Sequence, residues 1–140
     1  LASDRGGCGT AGGRVYRAYG LTGIRGEAER GFPAVQSFGL PVLRQVQRAG
    51  LDADASGLQV LLKLMTGVED TNLAARGGLA GLRDTQATAC RVLAAGGVYT
   101  AAGRSCIQDM NTELVSRNLS PGGCADLLAA TLFLDELGMR

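Results

Sequence analysis

The sequence of 140 residues contains no histidine and no tryptophan, and aromatic residues make up only 4% of it. Without histidine there is no Ser-His or Cys-His dyad, and the usual general base at neutral pH is absent. The four cysteines have no C-x-x-C spacing, so we predict reduced thiols and no zinc site. No apolar run is long enough to span a membrane, and the net charge of +1 is well mixed. We therefore expect a cytoplasmic protein that binds neither membrane nor nucleic acid.

The residues that are present favour helices. Apolar residues make up 46% of the chain, and most of them are alanine and leucine, which are good helix formers. The 22 glycines are about twice the usual share of ~7%, and they are expected at helix ends, close contacts or ligand approaches. We predict an all-α fold, a multi-helix and largely antiparallel bundle with short Gly-rich connections, in which residues 1–140 form a single domain.

Apolar spacing, prolines and glycines divide the chain into predicted helices. Asp52 or Asp54 is expected to open the helix that ends near Asp70. The last helix is apolar nearly all round, which is typical of a central helix. In the helix from 79 to 95 the inward residues are predicted to be Leu79, Leu82, Cys90 and Leu93. The other predicted helices lie near residues 14–19, 34–38, 42–49, 99–117 and 125–137.

Two acids, Glu69 and Asp70, stand between two apolar helical patterns. If the preceding helix ends near Asp70, both acids lie at its electronegative end, at a cost of about 0.3–1 kcal/mol each. A positive group is therefore expected beside them. Arg76 in a plain ion pair and a bound metal ion are the two alternatives.

A second polar stretch is Ser120-Pro121-Gly122-Gly123. Ser120 reads as the N-cap and Pro121 as the first residue of the last helix. Gly122 and Gly123 would then present unpaired backbone N–H groups, to which a phosphate can bind at the positive end of the helix dipole. The alternative is an ordinary loop, since Pro-Gly-Gly is common in loops.

An arginine is followed directly by glycine in two other stretches. Arg76-Gly77-Gly78 precedes a predicted helix start at Leu79, and Arg25-Gly26-Glu27 is a looser copy, alternatively a helix–helix turn with an exposed Arg25–Glu27 pair. Guanidinium groups bind phosphate oxygens in a bidentate manner, and a polyphosphate normally brings Mg²⁺. Together the three stretches favour a nucleoside-triphosphate site over three unrelated turns. The carboxylates available for Mg²⁺ are Glu69, Asp70 and Asp126.

These stretches, in this order, resemble the triphosphoribosyl-dephospho-CoA synthase family. The resemblance is carried by residues 21–28, residues 69–72 with 76–78, and residues 118–123 with 125–128. It implies an all-α enzyme that joins the ribose C1 of ATP to the 2′-hydroxyl of 3′-dephospho-CoA and releases adenine. The product would be the prosthetic-group precursor for the acyl-carrier subunit of citrate lyase or malonate decarboxylase, and Mg²⁺ would accompany the ATP.

Site roles follow as hypotheses. Glu27 is a candidate base, and Asp70 is assigned both to catalysis and, with Glu69 and Asp126, to Mg²⁺. An oxocarbenium-like transition state would need a base for the incoming hydroxyl and a proton for the leaving adenine. The residues assigned to phosphate or nucleotide binding are Arg25, Gly26, Asn72, Arg76, Gly77, Gly78, Asn118, Ser120, Gly122 and Gly123.

The sequence also departs from the family pattern. Ala75 stands where the family commonly has histidine, and Cys124 stands where it commonly has serine. Nothing in the chain matches the family's N-terminal half, so we expect the C-terminal part of a larger helical fold, with apolar faces that pair with the missing half as a second chain or with another copy. Two alternatives stay open: a non-catalytic fragment or subunit that binds nucleotide, and an unrelated helical Mg²⁺–nucleotide enzyme.

Overall fold

The computed structural model describes residues 19–138, and within this range it contains helices and no strand. The predicted all-α fold is confirmed. None of the described helices is both long enough and apolar enough to cross a membrane. A helix expected near residues 14–19 lies outside the described residues except for Tyr19. The helices are α1 (Gly23–Glu29), α2 (Leu40–Arg48), α3 (Ala53–Met65), α4 (Thr71–Ala94), α5 (Ala101–Ser116) and α6 (Gly122–Glu136).

Two short turns complete the helical framework. A π-helical turn, Val35–Gly39, runs directly into α2, so Pro41 does not separate two helices as predicted. Pro41 is the second residue of α2 and lies directly after the junction with the π-helical turn. A 3₁₀ turn, Gly97–Tyr99, joins α4 to α5.

Helix α3 occupies the centre of the molecule and contacts α2, α4, α6 and the π-helical turn. Its side chains Val60, Leu62, Leu64 and Met65 are buried in the main core. Burying these chains removes apolar surface from water and contributes roughly 1.5–3 kcal/mol for each fully buried residue. The core therefore forms around α3.

The prediction that α6 is central agrees with its contacts to α1, α2, α3, α4 and the π-helical turn, but the helix is not buried on all sides. Only one stripe of this helix, with Cys124, Leu127 and Thr131, is fully buried. Leu132 and Phe133 are 43% and 63% exposed on the other side. An apolar composition all round a helix says nothing about how many neighbours the fold supplies, and here they cover one side. The exposed apolar residues along the helix, hereafter the α6 face, are Ala125, Ala129, Leu132, Phe133 and Leu137.

Helix α4 is longer than predicted, because it begins at Thr71 and passes through a kink at Gly78. Gly78 has φ 68° and ψ −173°, a conformation that is essentially restricted to glycine. The predicted helix start at Leu79 is therefore the continuation of α4 beyond a kink. Leu82 is buried as predicted, but Leu79 and Cys90 are exposed. The buried stripe instead continues through the small residues Thr85, Ala89 and Val92.

Candidate functional site

The structure brings the three polar stretches together at one edge of the molecule. Cys124 N donates a hydrogen bond to Asp70 Oδ2 at 2.8 Å, and Arg76 Nη1 donates to Asn118 Oδ1 at 2.9 Å. Gly23 lies against Thr71, so closely that a Cβ on Gly23 would be 2.7 Å from Thr71 Cγ2. Stretches that are separated by about 45 residues in the sequence therefore share one site.

Asp70 is the N-cap of α4 and also accepts a hydrogen bond from the first turn of α6. Its Oδ1 accepts hydrogen bonds from the backbone N–H groups of Asn72 and Leu73, at 2.9 and 3.2 Å, while Oδ2 accepts the Cys124 N–H. The residue is only 1% exposed. Three backbone donors and the positive ends of two helices compensate the burial of this carboxylate. The predicted position at an electronegative helix end is wrong, because α3 already ends at Met65.

The same carboxylate explains how α6 begins. The N-cap position is Pro121, and no side chain of its own loop caps the helix, so the N-cap predicted at Ser120 is wrong. A Cβ at Gly123 would lie 3.1 Å from Asp70 Oδ1, and one at Gly122 would lie 2.8 Å from Asn72 Nδ2. Close approach of α4 therefore accounts for both glycines. Their binding of phosphate stays a prediction.

Arg76 lies beside the loop that precedes α6 and does not pair with either acid. It donates to the side chain of Asn118, and also to the Asn118 carbonyl at 3.4 Å. The side chains of this pair are exposed. Asn118 has a positive φ of 52°, which asparagine adopts more readily than most residues. We call Asn72, Arg76, Asn118 and Gly122 the polar edge.

Glu69 pairs with Arg83 instead of Arg76. Arg83 Nη1 lies 2.7 Å from Glu69 Oε1, and this hydrogen bond, together with the charge of Glu69, raises the pKa of Arg83. Glu69 Oε2 is buried and has no hydrogen-bond partner. The ion pair proposed between Arg76 and these acids is therefore wrong, and one carboxylate oxygen of Glu69 remains unsatisfied.

A cavity of about 430 Å³ lies between α1, the π-helical turn and the connection from α3 to α4. Glu27 reaches its wall, where Oε2 accepts a hydrogen bond from Ala34 N at 3.0 Å and Oε1 lies 3.9 Å from Arg30 Nη2. Arg25 is not part of the cavity. It pairs with Glu29 at 3.1 Å on the surface, so the predicted Arg25–Glu27 pair is wrong.

Sequence reasoning missed several residues that line this cavity. Arg30 directly follows α1, Ser37 and Phe38 belong to the π-helical turn, and Gly67 lies in the connection after α3. Phe38 could have been noticed, since it is one of only three phenylalanines in the chain. Its orientation depends on the π-helical turn, for which the sequence carries no simple signal.

The predicted acids do not form one metal cluster. Within residues 19–138 no group of three or more Asp, Glu, Cys or His side chains is arranged to hold a metal ion. Asp70 already accepts three backbone hydrogen bonds, and Asp126 is exposed on α6. Glu69 fits a hard cation best, because its Oε2 is an unpartnered oxygen and Mg²⁺ takes one or two carboxylates. The Mg²⁺ assignment stays a prediction.

Cys124 sits in the first turn of α6, behind the Asp70 contact. Burial raises the pKa of its thiol well above the ordinary value, and the negative charge of Asp70 adds to this effect. The thiol is therefore neutral at physiological pH. It fills space beside the carboxylate and is not a nucleophile.

These features define an all-α protein in which the N-termini of two helices meet at a polar edge, beside a cavity of about 430 Å³. Comparison of the sequence with models of known protein families identifies the family of this chain. Residues 3–140 match the family model described as ATP:dephospho-CoA triphosphoribosyl transferase, and the chain belongs to this family.

Curated relatives agree. A protein of Azotobacter vinelandii named "Probable 2-(5''-triphosphoribosyl)-3'-dephosphocoenzyme-A synthase" is 49% identical over 124 residues, which are 89% of this chain and 42% of that protein. Proteins with the same name from Stutzerimonas stutzeri and Salmonella gallinarum are each 48% identical, over 90% and 86% of this chain and 43% and 40% of theirs. The chain thus spans about two fifths of the length of these relatives. No solved structure matches it.

Proposed function

We propose that this chain provides the nucleotide-binding part of an ATP:3′-dephospho-CoA triphosphoribosyltransferase. In this reaction the bond between ribose C1 and adenine breaks, and a bond forms from C1 to the 2′-oxygen of 3′-dephospho-CoA. The proton of the 2′-hydroxyl leaves that oxygen, and adenine departs protonated. The product would serve citrate lyase or malonate decarboxylase as a prosthetic-group precursor. A cytoplasmic location, where ATP is supplied, is part of the proposal.

The observation that carries this proposal is the meeting of the three stretches at the polar edge. Arg76, held by Asn118 at 2.9 Å, places an exposed guanidinium near the N-terminus of α6. Guanidinium groups and backbone N–H groups are the usual partners of phosphate oxygens. Arg25, 79% exposed in its side chain and paired with Glu29 at 3.1 Å, is a second guanidinium, on helix α1, which contacts α6. This arrangement suits a triphosphate that remains intact through the reaction.

The carboxylates of the cavity supply the acid–base groups of the proposal. Glu27 is held by Ala34 N and Arg30, whereas Glu69 Oε2 has no partner. Glu69 Oε1 is paired with Arg83 at 2.7 Å, so the atom proposed to hold Mg²⁺ is the unpartnered Oε2. When bound, Mg²⁺ would neutralise phosphate charge. Asp70 contributes by fixing the N-termini of α4 and α6.

The proposed partner is the part of the family's longer chain that lies outside the match. The α6 face runs the length of its helix, and Phe133 and Leu137 are 63% and 60% exposed. Contiguous exposed apolar surface of this kind marks a protein interface more often than a free surface. Binding of that additional segment would cover the face, and self-association of this chain is the competing outcome.

A second function, nucleotide binding without turnover, is favoured by one position. Ala75 lies exposed on α4 beside Arg76, where the resemblance leads us to expect a histidine. An alanine there can neither donate nor accept a proton. Phosphate binding by Arg76 would be unaffected, but proton transfer near the phosphates would be lost. The unrelated nucleotide enzyme is no longer an alternative, because the chain belongs to the transferase family.

Adenine release separates these functions. The chain would be incubated with ATP, dephospho-CoA and Mg²⁺, alone and together with the segment of the Azotobacter vinelandii relative that lies outside the match. Adenine would be quantified by chromatography and the product identified by its mass. We expect adenine only when both substrates are present. Nucleotide binding with no adenine in either preparation would support the binding function, and adenine formed without dephospho-CoA would contradict the transfer reaction.

A further inference from the structure

We propose that the cavity between α1, the π-helical turn and the α3–α4 connection binds an adenosine moiety, while the attached phosphates lie outside it along the polar edge. This inference rests on the proposed function, in which both substrates, ATP and dephospho-CoA, carry adenosine. It assigns the two chemical parts of a nucleotide to two adjoining regions of this chain.

The wall of the cavity has no excess of positive charge to attract phosphate. The ionisable side chains in its wall are Glu27, Arg30 and Glu69, and Arg30 lies 3.9 Å from Glu27. Arg83 lies 2.7 Å from Glu69, so each carboxylate of the wall has a cationic partner and the charges of the wall are balanced. Carboxylate oxygens accept hydrogen bonds from amino and hydroxyl donors, which adenine and ribose both supply. Glu27 and Glu69 are the carboxylates of the wall.

The shape and lining of the cavity suit a planar base. Its volume of about 430 Å³ falls within the roughly 300–1,000 Å³ of small-molecule pockets. Phe38 forms part of the wall, packed so closely against Gly67 that a Cβ there would lie 3.0 Å from Phe38 Cε2. Lys63 Nζ lies 5.5 Å from the ring centre. These contacts hold an aromatic surface of the kind on which bases stack. The other apolar lining residues are Leu21, Pro33, Ala34 and Val68.

A short series of residues in contact links the wall of the cavity to the polar edge. Gly23 lines the cavity and touches Thr71, the first residue of α4. The next residue, Asn72, lies against Gly122 at the start of α6. A nucleotide whose base occupies the cavity could therefore extend past Gly23 and place its phosphates beside Asn72 and Arg76.

Calorimetry with isolated pieces of the nucleotide tests the assignment. Ser37→Phe would fill the cavity from the π-helical turn, where Ser37 is exposed and has no role in the core. We expect it to weaken adenosine binding by about tenfold or more, which corresponds to the loss of one stacked base. Gln36→Phe is the matched control, since Gln36 is exposed on the same turn and does not line the cavity. It should leave adenosine binding unchanged.

Inorganic tripolyphosphate probes the polar edge in the same preparations. Ser37→Phe should retain its binding, which also shows that the variant is folded, whereas Arg76→Gln should weaken tripolyphosphate and retain adenosine. Failure of the wild-type chain to bind adenosine, or equal adenosine binding by wild type and Ser37→Phe, would overturn the inference. Such a result would not bear on adenine release, so the proposed function could still hold if this inference failed. Conversely, adenosine binding without adenine release would contradict only the transfer reaction.

The two adenosine-bearing substrates are distinguished by the same variant. If the cavity receives the ATP base, Ser37→Phe should weaken ATP and leave dephospho-CoA unchanged. If it receives the base of dephospho-CoA, the reverse is expected. Unchanged affinity for both substrates would count against the inference, even if free adenosine binding were reduced.

Discussion

Asp70 and Cys124, which are 54 residues apart in the sequence, are joined by a hydrogen bond of 2.8 Å from the Cys124 backbone N–H to Asp70 Oδ2. The other oxygen of the same carboxylate caps α4 through Asn72 N and Leu73 N. One buried side chain therefore ties together the N-termini of two helices. The relative position of the two helix starts that flank the polar edge depends on this single carboxylate.

The first prediction concerns Asp70→Asn. The amide retains one acceptor oxygen for α4, but its NH₂ group would face the Cys124 N–H, so one buried donor loses its partner. We expect a loss of about 1–3 kcal/mol in the free energy of unfolding, measured by urea denaturation. Asp52→Asn is the control, because Asp52 is exposed and caps only α3 through Ala55 N. A loss no greater than that of the control would show that Asp70 does not join the helices.

The second prediction concerns pH and Cys124. Burial and the charge of Asp70 raise the pKa of this thiol above its ordinary value of 9.0. In the unfolded chain the thiol ionises near its ordinary pKa, whereas in the folded chain it stays protonated. The stability that it contributes is therefore complete below about pH 9 and is lost as the pH rises further, by at most about 1.4 kcal/mol per pH unit.

Cys124→Ser isolates this contribution, since serine does not titrate and its hydroxyl can still donate to Asp70. Denaturation curves at pH 8, 9 and 10 would be compared for the two proteins. We expect the wild type to lose more stability than the variant above about pH 9. Parallel losses in the two proteins would mean that the thiol is not shielded from solvent and charge as the structure indicates.

The third prediction concerns the kink in α4. Gly78→Ala would place a side chain at φ 68° and ψ −173°, at a cost of about 1–3 kcal/mol. Gly57→Ala is the matched change in α3, where φ is not positive and the nearest atom to a new Cβ is Leu128 Cδ2 at 3.9 Å. It should raise stability by about 0.5–1 kcal/mol. Thermal unfolding of both variants would reveal the opposite signs, and equal effects would contradict the kink.

The fourth prediction separates two roles of Asn118, whose φ is 52° and whose Oδ1 accepts from Arg76. Asn118→Gly retains the backbone conformation and removes the acceptor, whereas Asn118→Ala removes the acceptor and adds strain of roughly 1 kcal/mol. Both variants should weaken tripolyphosphate binding to the same extent, because Arg76 loses its side-chain acceptor in each. Only the alanine variant should be less stable. Unequal binding by the two variants would show that the backbone, and not the side chain, positions Arg76.

The sequence allowed the all-α fold, most helix positions and the three polar stretches to be predicted, because helix spacing and glycine position are local signals. It did not reveal how the stretches meet. Asp70 looked misplaced because the end of α3 at Met65 and the start of α4 at Thr71 are separated by only five residues. The partners of Arg76, Glu69 and Arg25 also depend on tertiary packing. The burial of α6 could not be predicted either, because its sequence is apolar on every side whereas the fold covers only one side.

The last prediction concerns the α6 face. Phe133→Asp would place a charge at its most exposed large side chain without affecting the core, since Phe133 is 63% exposed. We expect the variant to bind the remaining segment of the relative's chain more weakly, by about tenfold or more, because a desolvated aromatic anchor at an interface contributes about 2 kcal/mol or more. Titration calorimetry or analytical ultracentrifugation would measure the change.

Val115→Asp is the control, since Val115 is 71% exposed on α5 and lies outside the α6 face. It should leave that association unchanged. If wild-type chain forms dimers that Phe133→Asp abolishes, and the additional segment does not bind, the face is a homodimer interface. If both variants weaken association equally, the binding is nonspecific apolar contact. A specific interface requires that the change at Phe133 weaken association more than the change at a similarly exposed residue on another helix.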